Sequence, residues 1–151
     1  MSERNYTIQQ IAGILHINLQ NAKSMTIINN LVIDSRSIVD PEGALFFAIP
    51  AQRNGHEFIR EAYETGVRNF VISDLDYTDG YDDANFLLVP DVLKALQAIA
   101  AYNRSQFNNE VIAITGSNGK TVVKEWLYQL LAADFNIVRS PKSFNSQIGV
   151  P

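Results

Sequence analysis

The sequence predicts an α/β fold in two parts, a small N-terminal α/β domain followed by the first βαβ part of a P-loop-type parallel-sheet domain. Short apolar runs rich in β-branched residues alternate with stretches of helical periodicity over the first 90 residues. A further apolar run, Val111–Ile114, leads into a glycine-rich loop and an amphipathic helix. Strands that alternate with helices in this way favour parallel pairing, and the order strand, loop, helix is typical of a phosphate-binding loop.

Composition limits the class of protein. A chain of 151 residues allows one domain, or a small domain and part of another, and 46% hydrophobic with 19% charged residues indicates a globular protein. The net charge of −4 and the scattered basic residues argue against nucleic acid as the main partner. The absence of cysteine excludes disulfides and cysteine-ligated metal. We expect a cytoplasmic protein, because the polar N-terminus does not resemble a signal peptide and no apolar run approaches the ~20 residues of a membrane span.

Strand and helix signals follow one another along the first part of the chain. Thr7 and Gln10 have the spacing of a capping box, so a helix is expected to begin after Thr7. The predicted strands are Thr26–Ile33, Ala44–Ile49, Val67–Ile72 and Phe86–Val89. The other predicted helices are Glu57–Thr65 and Val92–Phe107. The order strand, helix, strand over residues 44–72 predicts a βαβ unit with parallel strands.

The glycine-rich loop after Val111–Ile114 has the residue types that a phosphate site requires. Gly116 and Gly119 lack Cβ atoms where the backbone must turn and approach a ligand, and a helix is predicted to begin beside them. The N–H groups and the dipole at a helix start attract an anion. The common pattern G-x-x-x-x-G-K-[ST] is incomplete, because Ile114 stands where its first glycine belongs.

We interpret this loop as an ATP site. Lys120 can place its charge near the β- and γ-phosphates, which makes it the candidate catalytic residue, and the Thr121 hydroxyl can bind Mg²⁺. The residues predicted to contact ATP are Gly116, Ser117, Asn118, Gly119, Lys120 and Thr121. The alternative is a simple Gly-Asn turn with a surface lysine, which leaves the agreement of strand, glycines, Lys-Thr pair and helix unexplained.

The stretch Ile114–Thr121 closely resembles the ATP loop of the Mur ligases, which build the peptide of peptidoglycan. Val123–Trp126 and the closing Asn145–Pro151 are most similar to the member that joins D-alanyl-D-alanine to UDP-N-acetylmuramoyl-tripeptide. Val122 is a departure, since the family often has a second hydroxyl residue there. The resemblance implies ATP and Mg²⁺ as cofactors, an acyl-phosphate intermediate, and Asn145 as a further ATP-binding residue.

Two segments of the first domain resemble the family's UDP-sugar signature, Asp34–Ala48 and Asn54–Ile59. The resemblance implies substrate binding by Ser35, Arg36, Gln52, Arg53, Asn54, Gly55 and His56. An arginine and a serine at the end of a strand offer donors to a diphosphate, and amide side chains can read a uracil edge. Ala51 and Asn54 depart from the residues common in the family.

The same residues also allow a purely structural interpretation. Asp34 and Arg36 can form a local ion pair that pins a turn, and His56 can be a loop histidine with its hydrogen bonds satisfied within the protein. The resemblance favours substrate binding for Arg36. Catalysis by His56 is not expected, because the signature places it in the substrate-binding half.

We assign residues 1–90 to a UDP-sugar-binding domain and residues 91–151 to the start of the central ATP-binding domain. The groups that complete a Mur ligase site, and its third domain, have no room in this chain. We therefore expect an N-terminal fragment that is inactive alone. Strands Val111–Thr115 and Phe135–Val138 are predicted on either side of a helix that buries Val123, Trp126, Leu127, Leu130 and Leu131. With few neighbouring strands, this piece is expected to expose an edge or apolar face, which makes self-association possible.

Two other functions remain open from the sequence. The ligase that adds the third amino acid of the peptide shares the Asp-Ser-Arg region and the glycine loop. A non-catalytic nucleotide-binding module would need no downstream catalytic group. An assay with the tripeptide and the dipeptide nucleotide would distinguish the two ligases. A natural reading frame that ends at Pro151 would favour the non-catalytic module.

Overall fold

The computed structural model describes residues 5–19 and 26–140 and divides the chain into two units between Arg104 and Ser105. In chain order the elements are β1 (Tyr6–Thr7), α1 (Ile8–Ile14), β2 (Ile27–Ile28), β3 (Asn30–Val32), β4 (Ala44–Phe47), α2 (Ile59–Thr65), β5 (Asn69–Ile72), β6 (Asn85–Leu88), α3 (Val92–Ser105) and α4 (Lys120–Leu131). Among the described residues, no helix is long and apolar enough to cross a membrane. The α/β class predicted from the sequence is confirmed for the first unit.

A parallel sheet with strand order β3-β4-β5-β6 forms the centre of the first unit. Leu45, Phe47 and Val71 on one face pack into a core with residues of α1 and α3. Phe46 and Phe70 point to the opposite face, whose core includes residues of α2. Because helices cover both faces, β4 is apolar throughout and β5 is apolar after Asn69.

The N-terminal helix begins as its sequence predicts. The backbone N–H of Thr7 donates to Gln10 Oε1 at 2.8 Å, and the backbone N–H of Gln10 donates to Thr7 Oγ1 at 3.2 Å. This reciprocal pair is a complete capping box. The short strand before the helix, β1, pairs antiparallel with β2.

The single strand predicted over Thr26–Ile33 is wrong, because the chain changes sheets at Asn29. The backbone N–H groups of Asn29 and Asn30 both donate to the carbonyl oxygen of Gly43, at 3.0 and 3.2 Å. The Asn29 side chain donates to Asp40 Oδ2 at 3.0 Å. These bonds bend the chain, so β2 belongs to the hairpin with β1 whereas β3 enters the parallel sheet.

Helix α3 lies in the first unit, although the sequence assigned it to the second. Its buried residues Val92, Ala95, Leu96 and Ile99 belong to the same core cluster as Leu45 and Phe47 of β4. The two compact units of the structure divide after Arg104, whereas the domain boundary expected from the sequence lies after Pro90. The apolar stripe of α3 completes the cover over one face of the sheet.

The second unit contains helix α4, but its predicted strands are not formed in the described residues. Val111–Thr115 and Phe135–Val138 have no regular secondary structure. A strand needs a neighbour for its backbone hydrogen bonds, and no other described segment of this unit supplies one. The expected burial on α4 is also wrong, since Trp126 is 63% exposed and Leu130 72% exposed.

Candidate functional site

Three connections leave the carboxyl ends of neighbouring parallel strands in the first unit. The turn Asp34–Ser37 follows β3, residues 48–58 follow β4, and Ser73–Tyr77 follow β5. Parallel strands bring their carboxyl ends to one edge of a sheet, which is where ligands of open α/β sheets bind. This carboxyl edge carries every residue of the first domain that the sequence predicted as a substrate ligand.

Asp34 organises the turn after β3. One of its carboxylate oxygens, Oδ1, accepts hydrogen bonds from the backbone N–H of Arg36 at 3.1 Å and from its Nε at 2.9 Å. The other, Oδ2, accepts from Nη2 of the same guanidinium at 2.7 Å. The hydrogen bonds from Arg36 lower the pKa of the Asp34 carboxyl to about 2. The local ion pair allowed by the sequence is therefore present.

The ion pair leaves the guanidinium of Arg36 accessible. The Arg36 side chain is 80% exposed, and the pair with Asp34 uses two of the five N–H groups of a guanidinium. An exposed cation held in a fixed orientation at the end of a strand can bind an anionic group.

Ser35 does not present its hydroxyl hydrogen to solvent. It is 7% exposed, and its Oγ donates to Glu61 Oε2 on α2 at 2.8 Å. This bond ties the turn after β3 to α2. The charge of Glu61 also contributes to the raised pKa of the Arg36 guanidinium, after the larger effects of Asp34.

The loop after β4 folds back on the strand end. Pro50 and Asn54 form an antiparallel bridge, and the N–H of Ala51 donates to the carbonyl oxygen of Arg53 at 3.2 Å. The side chains at the tip, Gln52 and Arg53, are exposed. A second arginine and an amide thus lie on the loop next to the turn that holds Arg36.

Asn54 and His56 face inward from the same loop. The His56 ring is buried, with Nδ1 at 2.8 Å from Asn54 Oδ1 and Nε2 at 3.0 Å from the backbone nitrogen of Ser73. The Asn54 amide nitrogen donates to the Tyr77 hydroxyl at 3.4 Å. Burial lowers the pKa of the His56 imidazole, and the charge of Asp74 opposes this effect. His56 has the internally satisfied contacts of the structural interpretation.

Three further residues take part in this arrangement without having been singled out in the sequence, Glu61, Ser73 and Tyr77. Each contacts a predicted site residue through a side chain or a backbone group. Ser73 directly follows a strand, which is the one sequence signal that marks it. Glu61 lies on a helix and Tyr77 in a 3-10 turn, and their contacts depend on the tertiary fold.

In the second unit, the glycine loop precedes α4 as predicted. Gly116 and Gly119 have φ angles of +147° and +78°, values that favour glycine. Lys120 is the first residue of α4, and its Nζ donates to the carbonyl oxygen of Gly116 across the loop. No side-chain hydrogen bond caps this helix start. Helix starts in general attract anions through their backbone N–H groups and the helix dipole. Asn145 lies outside the described residues.

Positions 139 and 140 run beside α4. Lys124 Nζ donates to the carbonyl oxygen of Ser140 at 2.7 Å, and the Arg139 guanidinium lies over the Tyr128 ring at 4.3 Å from its centroid. Glu125 pairs with both Lys124 and Arg139. These contacts lie along the helix and not in the glycine loop, so of the two lysines of α4 it is Lys120 that is directed at that loop.

Known proteins are similar to this chain in both sequence and fold. No protein-family model matches it. It is 31% identical over 147 residues to the UDP-N-acetylmuramoyl-tripeptide–D-alanyl-D-alanine ligase of Bacillus subtilis (strain 168), a match covering 96% of this chain and 32% of that ligase. The chain is therefore similar to about a third of a Mur ligase. The resemblance predicted from the glycine loop is confirmed.

Solved Mur ligase structures show the same similarity. MurF from Acinetobacter baumannii superposes with a TM-score of 0.85 at 26% identity, over 99% of this chain and 32% of that protein. MurF from Thermotoga maritima, solved in complex with ADP, has a TM-score of 0.67 at 27% identity, over 80% of this chain and 27% of that protein. The chain therefore spans about a third of the length of the Mur ligases that it matches.

Proposed function

We propose that this chain is the front part of an ATP-dependent ligase that joins D-alanyl-D-alanine to UDP-N-acetylmuramoyl-tripeptide in peptidoglycan synthesis. One observation carries the proposal: Lys120 reaches over a two-glycine loop at the start of a helix, in a chain related to ligases of that name. The names of the relatives favour this reaction over the addition of the third amino acid.

The chemistry proceeds in two displacements. A carboxylate oxygen of the tripeptide bonds to the γ-phosphorus of ATP while the bond to ADP breaks, which gives an acyl phosphate. The amine nitrogen of D-alanyl-D-alanine then bonds to the acyl carbon, loses a proton, and releases inorganic phosphate. In the first step negative charge spreads over the transferring phosphoryl oxygens, so positioning and charge neutralisation supply most of the catalysis.

The residues of the glycine loop suit this task. Lys120 would exchange its bond to the Gly116 carbonyl for the β- and γ-phosphates, and the N–H groups from Ser117 to Thr121 would face the phosphate oxygens. Mg²⁺ often binds through one or two protein oxygens with phosphates supplying the rest, so one hydroxyl, that of Thr121, fits a share of such a site. When bound, Mg²⁺ would neutralise phosphate charge. Asn145 remains a proposed ATP contact by family resemblance.

We place the UDP end of the substrate at the carboxyl edge of the sheet in the first unit. Three exposed side chains are proposed to touch it: Arg36 and Arg53 the diphosphate, and Gln52 the uracil. The others in the predicted set make internal contacts and shape the edge: Ser35, Asn54, Gly55 and His56.

Binding and turnover test the two halves of this proposal separately. Calorimetry with the 151-residue chain should detect UDP-N-acetylmuramoyl-tripeptide binding to the first unit. Phosphate release and peptide ligation should require the longer protein and should be absent from this chain alone. Failure of the longer protein to ligate D-alanyl-D-alanine, with ligation of a single amino acid to the dipeptide substrate instead, would establish the alternative ligase.

Two further proposals concern the location of the protein in the cell and the association state of the 151-residue chain. A ligase that consumes ATP and a UDP-linked precursor works where both are made, so we place it in the cytoplasm. We also propose that the 151-residue chain self-associates through α4, because Val122, Trp126 and Leu130 are exposed at helical spacing on that helix.

A further inference from the structure

His56 is the most buried of the side chains that the sequence predicted as substrate ligands. It is 2% exposed, and both ring nitrogens take part in hydrogen bonds within the protein. A buried histidine with both ring nitrogens hydrogen-bonded to the protein is not available to a ligand. Its role is therefore to connect the segments to which it is hydrogen-bonded.

The hydrogen bonds determine the protonation state of the ring. The backbone N–H of Ser73 can only donate, so Nε2 of His56 accepts and carries no proton. Asn54 Oδ1 accepts from the backbone N–H of His56 at 3.2 Å, which identifies that atom as the amide oxygen. Nδ1 must therefore carry the proton that it donates to Asn54 Oδ1. The ring is neutral and has one tautomer.

This neutral ring connects two of the three segments at the carboxyl edge. Through its own backbone and Asn54 it belongs to the loop after β4, and through Ser73 it is bonded to the end of β5. Its ring also lies 5.2 Å from that of Tyr77, whose hydroxyl accepts a bond from Asn54. The exposed Gln52 and Arg53 are thus carried by a loop that His56, together with the Asn54–Tyr77 bond, ties to the segment at the end of β5.

A protonated His56 could not keep this attachment. Its Nε2 would then carry a hydrogen directed at the Ser73 N–H, which places two donors against each other. The charged and titratable groups around the ring act in different directions. Burial disfavours the charged form and the charge of Asp74 favours it, while the Tyr77 ring packs beside the imidazole. The bond to Ser73 therefore exists only while the ring is neutral.

We propose that His56 is a positioning residue whose neutral ring holds the loop of Gln52 and Arg53 against the end of β5. A proton on the ring breaks the bond to Ser73, loosens that loop and weakens binding of the nucleotide sugar. This inference rests on the proposed UDP-sugar site. It changes the role of His56 from a residue that contacts the substrate, as the sequence predicted, to one that positions two such residues, Gln52 and Arg53.

The tautomer can be measured without any ligand. Long-range ¹⁵N–¹H spectra of the chain should show His56 with its proton on Nδ1, and with a pKa below the ordinary value of a histidine side chain because the ring is buried. A mixture of tautomers on His56, or a proton on Nε2, would overturn the proposal.

Binding of UDP-N-acetylmuramoyl-tripeptide at several pH values gives the functional readout. The diphosphate of this probe is esterified at both ends and lacks the terminal phosphate ionisation near about pH 6. Wild-type affinity should fall, by up to about tenfold, over the range of pH in which His56 takes up a proton, because one hydrogen bond at the loop is lost. His56→Gln places an amide oxygen near the position of Nε2, so its affinity should remain constant over that range.

A second variant separates the two nitrogens. His56→Asn can donate toward Asn54 but cannot reach Ser73, so its affinity at pH 8 should be lower than that of the wild type and should not change with pH. No binding by the wild type at pH 8 would overturn the proposed site itself. Wild-type binding that stays constant with pH, or that falls equally in His56→Gln, would overturn the role of His56 alone.

Discussion

Gly55 and Ile49 contact each other backbone to backbone at the two ends of the loop after β4. The N–H of Gly55 donates to the carbonyl oxygen of Ile49 at 3.0 Å, and a Cβ on Gly55 would lie 2.5 Å from the Ile49 nitrogen. No real Cβ approaches backbone so closely. The loop that carries Gln52 and Arg53 can close only because residue 55 is glycine.

Gly55→Ala should therefore open this loop. We expect a loss of stability of about 1–3 kcal/mol, the range typical of overpacked sites, together with weaker binding of UDP-N-acetylmuramoyl-tripeptide. Thermal unfolding and calorimetry measure the two effects. Gly13→Ala is the matched control, since a Cβ there meets no atom within 4 Å and alanine favours a helix. Equal behaviour of the two variants would contradict the proposed role of Gly55.

Arg36→Ala tests the proposed diphosphate contact. Loss of a charge-assisted hydrogen bond should weaken binding of the UDP-linked substrate by on the order of 1–3 kcal/mol, whereas stability should change little because the pair with Asp34 is exposed. Arg60→Ala provides a comparison, because Arg60 is equally exposed and forms the same kind of ion pair, with Glu64 on α2. Unchanged affinity in Arg36→Ala by calorimetry would reject Arg36 as a ligand.

Asp34 should contribute to stability in a defined range of pH. Its pKa falls from 3.8 to about 2 on folding, so the unfolded chain binds more protons between these values. The contribution is complete above pH 3.8 and disappears as the pH falls toward 2. The difference in melting temperature between wild type and Asp34→Asn should shrink over this interval. A constant difference would show that the Asp34 charge does not act through Arg36.

Lys120→Ala tests the nucleotide loop in the longer ligase. Removing one preorganised charge at a phosphoryl-transfer site should reduce kcat by about a hundredfold or more without unfolding the protein. Lys124→Ala removes the same charge one turn later on α4, where the lysine contacts Ser140, and should keep most of the activity. A phosphate-release assay and circular dichroism follow both variants. Normal turnover by Lys120→Ala would exclude the assignment of the catalytic lysine.

The exposed face of α4 should make the 151-residue chain associate. Sedimentation equilibrium over a series of concentrations should show a mass that rises above that of the monomer. Trp126→Lys should shift the chain toward monomer, because it places a charge at the centre of the Val122, Trp126 and Leu130 stripe. Gln129→Lys adds the same charge at another exposed position of the helix and should leave association intact. A monomer at every concentration would contradict this proposal.

Local signals in the sequence were sufficient for much of the fold. The capping box of Thr7 and Gln10, the apolar strands β4 and β5, and the glycines before Lys120 all have the conformations that the sequence predicts. Each of these features depends on residues close in sequence, or on apolar side chains that are stable only when buried. The resemblance of the glycine loop to the Mur ligases is also carried by a short local segment.

Other features depended on contacts between distant residues. The break at Asn29 follows from bonds to Gly43 and Asp40, and α3 joins the first unit because its apolar stripe covers the sheet. The predicted strands of the second unit are unformed because a strand requires a partner.

The sequence by itself determined the α/β class, the glycine loop and the set of polar residues at the carboxyl edge. Only the tertiary structure decided what each of those residues does. Ser35 and His56 turn inward to Glu61 and Ser73, whereas Arg36 stays exposed. The residue type limits which hydrogen bonds a side chain can form, but its partners come from elements distant in the chain. Folding therefore determines whether that side chain is free to bind a ligand or instead positions another residue.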